Sequence, residues 1–445
     1  MAVVPLLTGN PLLIFLLQVG VLLGTALALG RLAVAVRLPA VVGELAAGVL
    51  LGPSVLAHVA PGVAGWLLPA RAEQLNLLDA VGQLGVLLLV AVTGMNLDLG
   101  MIRRHGTTAA KISGAGLVVP LGLGVGAGFL LPATLRTAGS PPLVFALFLG
   151  VAMCVSAIPV IAKTLLDMRL IHRNVGQLIL LAGTVDDAFG WLMLSVVSAL
   201  ATTGLHAAGV VYSVLSLLGV LVFAATVGRY LVRTVMQLAL RSTERALPVA
   251  VAVVLVILCS AATHALRLEA VLGAFVCGIL LGTCRNLGPD GNLAWAAPLR
   301  TVVLSVLAPL FFATAGLRTN LAALGRPELA VVAVVVVALA VAGKFLGAGL
   351  GAALSGLNRW EALALGAGMN ARGVVEIVIA SVGLSAGILT VEMYTIIVLV
   401  AVLTSVMAPP ILRLAMRRVE HTAEEALRER QQLADTALDR ATPTA

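Results

Sequence analysis

The sequence predicts an all-α polytopic membrane protein with 13 transmembrane helices, arranged as inverted repeats with two discontinuous crossing helices. Three observations carry this expectation. Hydrophobic residues make up 60% of the 445 positions and charged ones only 11%, more apolar surface than a soluble chain of this size hides. The apolar runs reach the length of about 20 residues that crosses a bilayer. Segments of the first half also recur, in the same order, in the second.

The spans fall at about 11–30, 39–57, 77–98, 108–131, 142–166, 175–201, 208–232, 247–266, 269–283, 299–317, 328–355, 360–388 and 391–413. The first run, Leu12 to Gly30, lacks a basic region before it and reads as a retained span, not a signal peptide. An odd number of spans puts the termini on opposite sides. With the C-terminus inside, 18 basic residues lie on inner loops and 5 on outer ones. That asymmetry predicts an outside N-terminus and a cytoplasmic C-terminus in a cell (inner) membrane. The same topology accounts for the net charge of +8, so no nucleic-acid partner is expected. Cys154, Cys259, Cys277 and Cys284 sit in or beside apolar runs without metal-ligand spacing, which argues against disulfides and zinc. Residues 1–415 form the membrane domain. Residues 416–445 form a short polar cytoplasmic tail, read as a solvated extension.

The internal repeat is legible residue by residue. Leu38 to Gly52 (LPAVVGELAAGVLLG) and Leu268 to Gly282 (LEAVLGAFVCGILLG) share 8 of 15 positions at an offset of 230. Thr93 to Leu99 resembles Ala315 to Leu321, Lys111 to Leu117 echoes Lys344 to Leu350, and Gly150-x-x-Met153 echoes Gly366-x-x-Met369. Small-residue richness inflates each match, but their common order does not follow from composition. Spans 2 and 9 run in opposite directions, the arrangement of secondary transporters.

The candidate chemistry lies in spans 5, 6, 11 and 12. Asp186 and Asp187 stand together, after Thr184, in the middle of span 6. Each carboxylate at mid-bilayer costs roughly 2.5–3.5 kcal/mol unless compensated, and such groups mark ion or proton paths. Neighbours on a helix point about 100° apart, so the two cannot share one role. Lys344 in span 11 is the basic partner available to one of them. A purely structural ion pair would account for one aspartate but not for the second. Pro159, behind Ser156, and the polar, glycine-rich run Gly366 to Gly373 each predict a broken helix. Half-helix ends at such breaks present dipole charge to a substrate. A plain proline kink and a packing patch of glycines are the bland alternatives. Arg372 and Glu376, four apart, fall on one helical face and can pair locally. Glu44 has no acidic counterpart in its repeat partner, and His264 reads as a packing residue. No nucleophile–base pair or metal cluster is present, so neither an enzyme nor a cofactor is expected. The residues leave open a transporter, a gated monovalent cation channel, and a non-transporting membrane sensor or subunit.

Together, the Thr184–Asp187 run, Gly343–Gly347, Leu38–Gly52 and Asn370–Glu376 carry a resemblance to the monovalent cation:proton antiporter superfamily. The likeness is to its paired-aspartate sodium/proton and potassium/proton exchangers, along residues 10 to 415. The resemblance implies the sodium/proton antiporter-like fold. It implies a core of spans 4–6 and 11–13 (about 108–201 and 328–413) and a scaffold of spans 1–3 and 8–10 (about 11–98 and 247–317). The span at 208–232 links them, and the scaffold forms a homodimer. It implies exchange of sodium or potassium for protons by alternating access, with Asp187 binding the cation or the proton. Asp186 would pair with Lys344, and Ser156 and Asn370 would lie at the crossing of the broken helices. Glu376 stands farther behind Arg372 than the acidic residue of related antiporters does.

Overall fold

The computed structural model describes residues 10–36, 38–68, 72–95, 106–168, 170, 172–203, 207–242, 244, 246–284, 294–422 and 425. Among them, regular structure is helical apart from one isolated bridge, Arg136 to Leu389. Besides two short helices, Leu56–Val59 and Pro61–Leu67, the helices are α1 (Asn10–Ala35), α2 (Ala40–Leu51), α3 (Ala72–Met95), α4 (Gly106–Leu130), α5 (Pro142–Cys154), α6 (Ile158–Asp167), α7 (Asn174–Thr203), α8 (Ala207–Phe223) and α9 (Arg229–Leu240). They continue as α10 (Leu247–Ala265), α11 (Ala270–Gly282), α12 (Ala297–Val302), α13 (Ala308–Leu317), α14 (Pro327–Leu354), α15 (Arg359–Met369), α16 (Val374–Ser385) and α17 (Val391–Met416). The π turns Ala224–Gly228 and Val303–Leu307 join α8 to α9 and α12 to α13.

Among the described residues, ten helices are long and apolar enough to cross a membrane, or eleven if the bent pair α15–α16 is one span. The sequence predicts 13. The shortfall lies at 142–166, where α5 stops after 13 residues and α6 restarts the chain, and at 269–283, where α11 has 13 residues. The span expected at 208–232 runs on as helix to Leu240. Large apolar side chains, among them Leu16, Val118, Val222 and Val334, are exposed around the molecule, as on a surface solvated by lipid.

The helices pack in two groups. In one, α4 lies between α5 and α14, α15 sits against α14 and α17, and α7 touches α4, α5, α6 and α15. In the other, α2 lies against α1 and α13, and α11 against α3 and α10. The groups meet along α7 and α11.

In the second group the repeat has a physical basis. A Cβ on Gly48 of α2 would collide with the Ala313 carbonyl of α13, and one on Gly316 with the Leu45 carbonyl. A Cβ on Gly278 of α11 would collide with the Ala91 carbonyl of α3, and one on Gly94 would sit 2.6 Å from the Phe275 carbonyl. Each contact is the other's image under the repeat: Leu45 and Gly48 match Phe275 and Gly278 at the offset of 230. The glycines recur because two pairs of backbones must touch, as small residues permit between apolar helices.

The tail reading needs a correction at its start. The segment after α17 docks on the turn between α6 and α7 instead of extending into solvent. Arg173 donates from Nε to Glu425 at 3.0 Å and from Nη2 to the carbonyls of Val419 and Glu420 at 3.1 and 2.9 Å. Glu425 also accepts from the Asn174 N–H, at the first turn of α7, at 2.6 Å. Lone carboxylates favour that end of a helix dipole. The rest of the tail, residues 426–445, lies outside the described residues. Burial pushes the Glu425 carboxyl up, but the Thr422 and Asn174 N–H groups and Arg173 outweigh it and hold it below the usual range. A depressed folded value stabilises docking above the unfolded carboxyl value of about 4.3. That contribution is lost as pH falls through the folded value. Glu425→Gln should therefore speed amide hydrogen exchange at the start of α7 at pH 7. The wild type should approach the variant only in acid, below about pH 4.3. Equal exchange at pH 7 would remove the docking contact from the account.

Candidate functional site

The site forms where two helix breaks meet. The chain leaves helix between Cys154 and Ile158, and again between Met369 and Val374, where the bend is 46°. Pro159 is the second residue of α6, where its missing N–H removes no helical bond. The breaks are tied together: the Ala157 N–H donates to the Ala371 carbonyl at 3.0 Å. Ser156 Oγ lies 2.7 Å from the Met369 carbonyl and 2.7 Å from Asp186 Oδ2. Both are acceptors and the hydroxyl has one proton, so Ser156 serves one of them at a time.

Arg372 secures the crossing. Its guanidinium donates to the carbonyls of Ala152 and Met153, in the last turn of α5, at 3.0 and 2.6 Å. It donates also to Ala340 O of α14 at 3.1 Å and to Glu376 Oε1 at 3.2 Å. Helix ends leave such carbonyls without partners, and here one fully buried cation supplies them. The Arg372 carbonyl in turn accepts from Ser405 Oγ of α17. The local pairing with Glu376 is present, but most of the arginine's donors go to backbone.

Asp186 is fully buried on α7 and saturated. Lys344 Nζ of α14 donates to its Oδ2 at 2.7 Å, and Ser113 Oγ of α4 to its Oδ1 at 3.2 Å. Lys344 donates also to the Gly116 carbonyl at 3.2 Å and is itself fully buried. Asp187, the next residue, is equally buried, yet neither of its oxygens has a hydrogen-bond partner among the described residues. It faces the Ile158 amide at the start of α6 without reaching hydrogen-bond geometry. Asn370 is fully buried at the second break, and its side-chain oxygen and nitrogen are also without partners. Thr184 is spent on its own helix, donating to the Leu180 carbonyl at 2.8 Å. Glu376 Oε2 has no hydrogen-bond partner among the described residues.

The structure joins Ser156 to Asp186 and Lys344 and places Asn370 at the second break. The sequence reading had only the Asp186–Lys344 pair and, separately, Ser156 and Asn370 at the crossing of the broken helices. It missed Ser113 and the Gly116 carbonyl. Ser113 lies in the KISGAGL segment that echoes the segment beginning with Lys344, and that match was the available signal. No cluster of three His, Cys, Asp or Glu suited to a metal occurs among the described residues.

Residues 19–418 match the transmembrane sodium/hydrogen exchanger family. The chain belongs to that family. It is 30% identical over 407 residues to the Na(+)/H(+) antiporter NhaS4 of Synechocystis sp., covering 90% of this chain and 97% of that one. Cation/H(+) antiporter 17 of Arabidopsis thaliana is 30% identical over 414 residues, and K(+)/H(+) antiporter 1 of Saccharomyces cerevisiae 27% over 418. The chain spans 48% and 47% of those two. The fold matches that of the sodium proton antiporter MjNhaP1 from Methanocaldococcus jannaschii, with a TM-score of 0.67 at 16% identity, covering 91% of this chain and 99% of that one.

Removing one partner of a buried ion pair costs about 3–5 kcal/mol, because the other charge is left unpaired. Lys344→Gln should therefore lower the melting temperature of the purified protein, and adding Asp186→Asn should restore most of the loss. No change in the single variant would sink the pairing. Arg372→Lys should not rescue the crossing, because an ammonium cannot reproduce the planar fork that reaches four acceptors. Wild-type stability in that variant would show that charge alone suffices.

Proposed function

We propose that the protein is a secondary active transporter, not an enzyme, exchanging sodium or potassium for protons across the cell membrane. The observation that carries this reading is Asp187, a fully buried carboxylate with no hydrogen-bond partner among the described residues, beside an aspartate held by Lys344 and Ser113 and within reach of the Ser156 hydroxyl. An unpaired buried charge is costly, so Asp187 is stable only when neutralised, by a proton or by a cation. It cannot hold both. A cation arriving at the carboxylate displaces the proton, and the return of a proton releases the cation. The competition itself couples the two fluxes.

The helices suit alternating access. The group α4–α7 with α14–α17 carries every candidate site residue and serves as the moving core. The group α1–α3 with α10–α13 is the scaffold, closed by its glycine contacts, and α8–α9 links the two. Thirteen crossings in inverted halves, an outside N-terminus, a cytoplasmic tail and a homodimer held through the scaffold complete the proposal. The relatives' names, which include Na(+)/H(+) and K(+)/H(+) antiporters, favour exchange over a channel or a silent subunit.

The test is proton movement in acid-loaded inverted vesicles, read with a pH-sensitive dye on addition of sodium, potassium, lithium or choline. The wild type should answer an alkali cation and not choline. Asp187→Asn should abolish the response while remaining in the membrane. Full cation-dependent proton flux in Asp187→Asn would overturn the mechanism, and cation flux that never moves protons uphill would indicate a channel.

A further inference from the structure

Where α1, α6 and α17 end, a cavity of about 860 Å³ opens between the two helix groups. Its walls are largely apolar, with Val34 and Leu38 on one side and Val160 and Met416 on the other. Its charged lining is Arg173, Arg413 and Arg417, with no carboxylate among the described residues. Arg173 is already matched by Glu425 at 3.0 Å. Arg413 and Arg417 are exposed and enter no ion pair among the described residues.

Two uncompensated guanidinium groups repel an alkali cation, so this mouth does not suit the ion proposed for Asp187. It suits a phosphate. Arginine forks match phosphate geometry, and basic pockets between membrane helices on the cytoplasmic side take anionic headgroups. The volume falls within the roughly 300–1,000 Å³ of ligand pockets. The cavity also opens sideways to the hydrocarbon: Val34 is 43% exposed, and its neighbours Leu32 and Val36 are each 59% exposed. A free phosphate would use the arginines and leave the apolar wall bare. Arginines in a last helical turn also complement the helix dipole and obey the topology rule. That explains their charge, but not an apolar-walled cavity reaching across to α1 and α6.

We infer that this cavity seats an anionic phospholipid, its phosphate on Arg413 and Arg417 and its acyl chain along Val34 and Leu38. Asp187 does not line this cavity, and lipid binding can be read without the exchange reaction. The lipid lies between core and scaffold, where it bears on their relative position.

The test uses the full chain purified in detergent, with thermal stability and lipid adducts in native mass spectrometry as readouts. Phosphatidylglycerol should raise the melting temperature and persist as an adduct, whereas phosphatidylcholine and glycerol phosphate should not. The double variant Arg413→Gln with Arg417→Gln should weaken phosphatidylglycerol binding roughly 30-fold, from two charges at about 1 kcal/mol each. The control Arg300→Gln, at an exposed arginine outside the cavity, should bind as the wild type does. Equal stabilisation by phosphatidylcholine would show that charge is not read. Equal stabilisation by glycerol phosphate would show that no lipid is needed. An unchanged response in the double variant, with its fold intact, would place the lipid elsewhere. Each of these three results overturns the proposal.

Discussion

The structure turns on an inequality between two adjacent carboxylates. Asp186 accepts from Lys344 and Ser113 and competes with the Met369 carbonyl for the Ser156 proton; Asp187 has no hydrogen-bond partner among the described residues. Both are removed from solvent. In an apolar bundle, the first arrangement is a closed account of charge and hydrogen bonds. The second is a group whose neutralising partner must come from outside the protein. One helix can hold both because successive side chains diverge by about 100°. Asp186 is turned toward α4 and α14, and its neighbour toward the break before α6.

The breaks follow from the same constraint. A continuous helix spends all its polar backbone groups on itself and offers none to a cation. Interrupting α5–α6 and α15–α16 frees amides and carbonyls at depth, where each unsatisfied group is expensive. The protein limits that cost by binding one break to the other, through Ala157 and Ala371, and by giving the last carbonyls of α5 to Arg372. The groups left over, in Asn370 and Asp187, lie at or beside the breaks. Partial satisfaction is therefore concentrated at the proposed site and not spread through the bundle.

Much of this was legible in the sequence because intramembrane charge is rare. Asp186, Asp187 and Lys344 stand out in a chain with 11% charged residues; cost alone pairs Lys344 with one aspartate, and the family resemblance pointed to Asp186. Arg372 was visible as a charge, but its work at the end of α5 depends on a contact 220 residues away in sequence. Local spacing to Glu376 could not reveal it. Ser113 was hidden because a serine in an apolar helix most often bonds its own backbone, as Thr184 does. The break inside 142–166 was announced by Pro159, but the 13-residue length of α11 was not legible, because hydropathy measures composition and not where a helix stops. The tail misled for a similar reason: its charge suggests solvation, and nothing local reports that Glu425 has Arg173 as a partner.

The two helix groups are held by different forces, and that difference bears on how the molecule moves. Around Gly48, Gly94, Gly278 and Gly316, backbone meets backbone, a contact that tolerates little sliding because any displacement brings carbonyls into collision. Within the other group, the site depends on long, flexible side chains, Lys344 and Arg372, that can hold their hydrogen bonds through small shifts. Between the groups, among the described residues, the polar ties are few and lie toward one end: Ser198 to Glu269, the Tyr394 hydroxyl to the Ala315 carbonyl at 2.7 Å, and the Asn320 N–H to Thr395 Oγ1 at 2.9 Å. The arginine-lined cavity lies at the opposite end, where α1, α6 and α17 finish. A rigid frame and a compliant ion-binding unit joined by few polar ties are what a rocking exchange requires. Moving one group against the other demands breaking only those few ties while the glycine contacts of the frame stay intact.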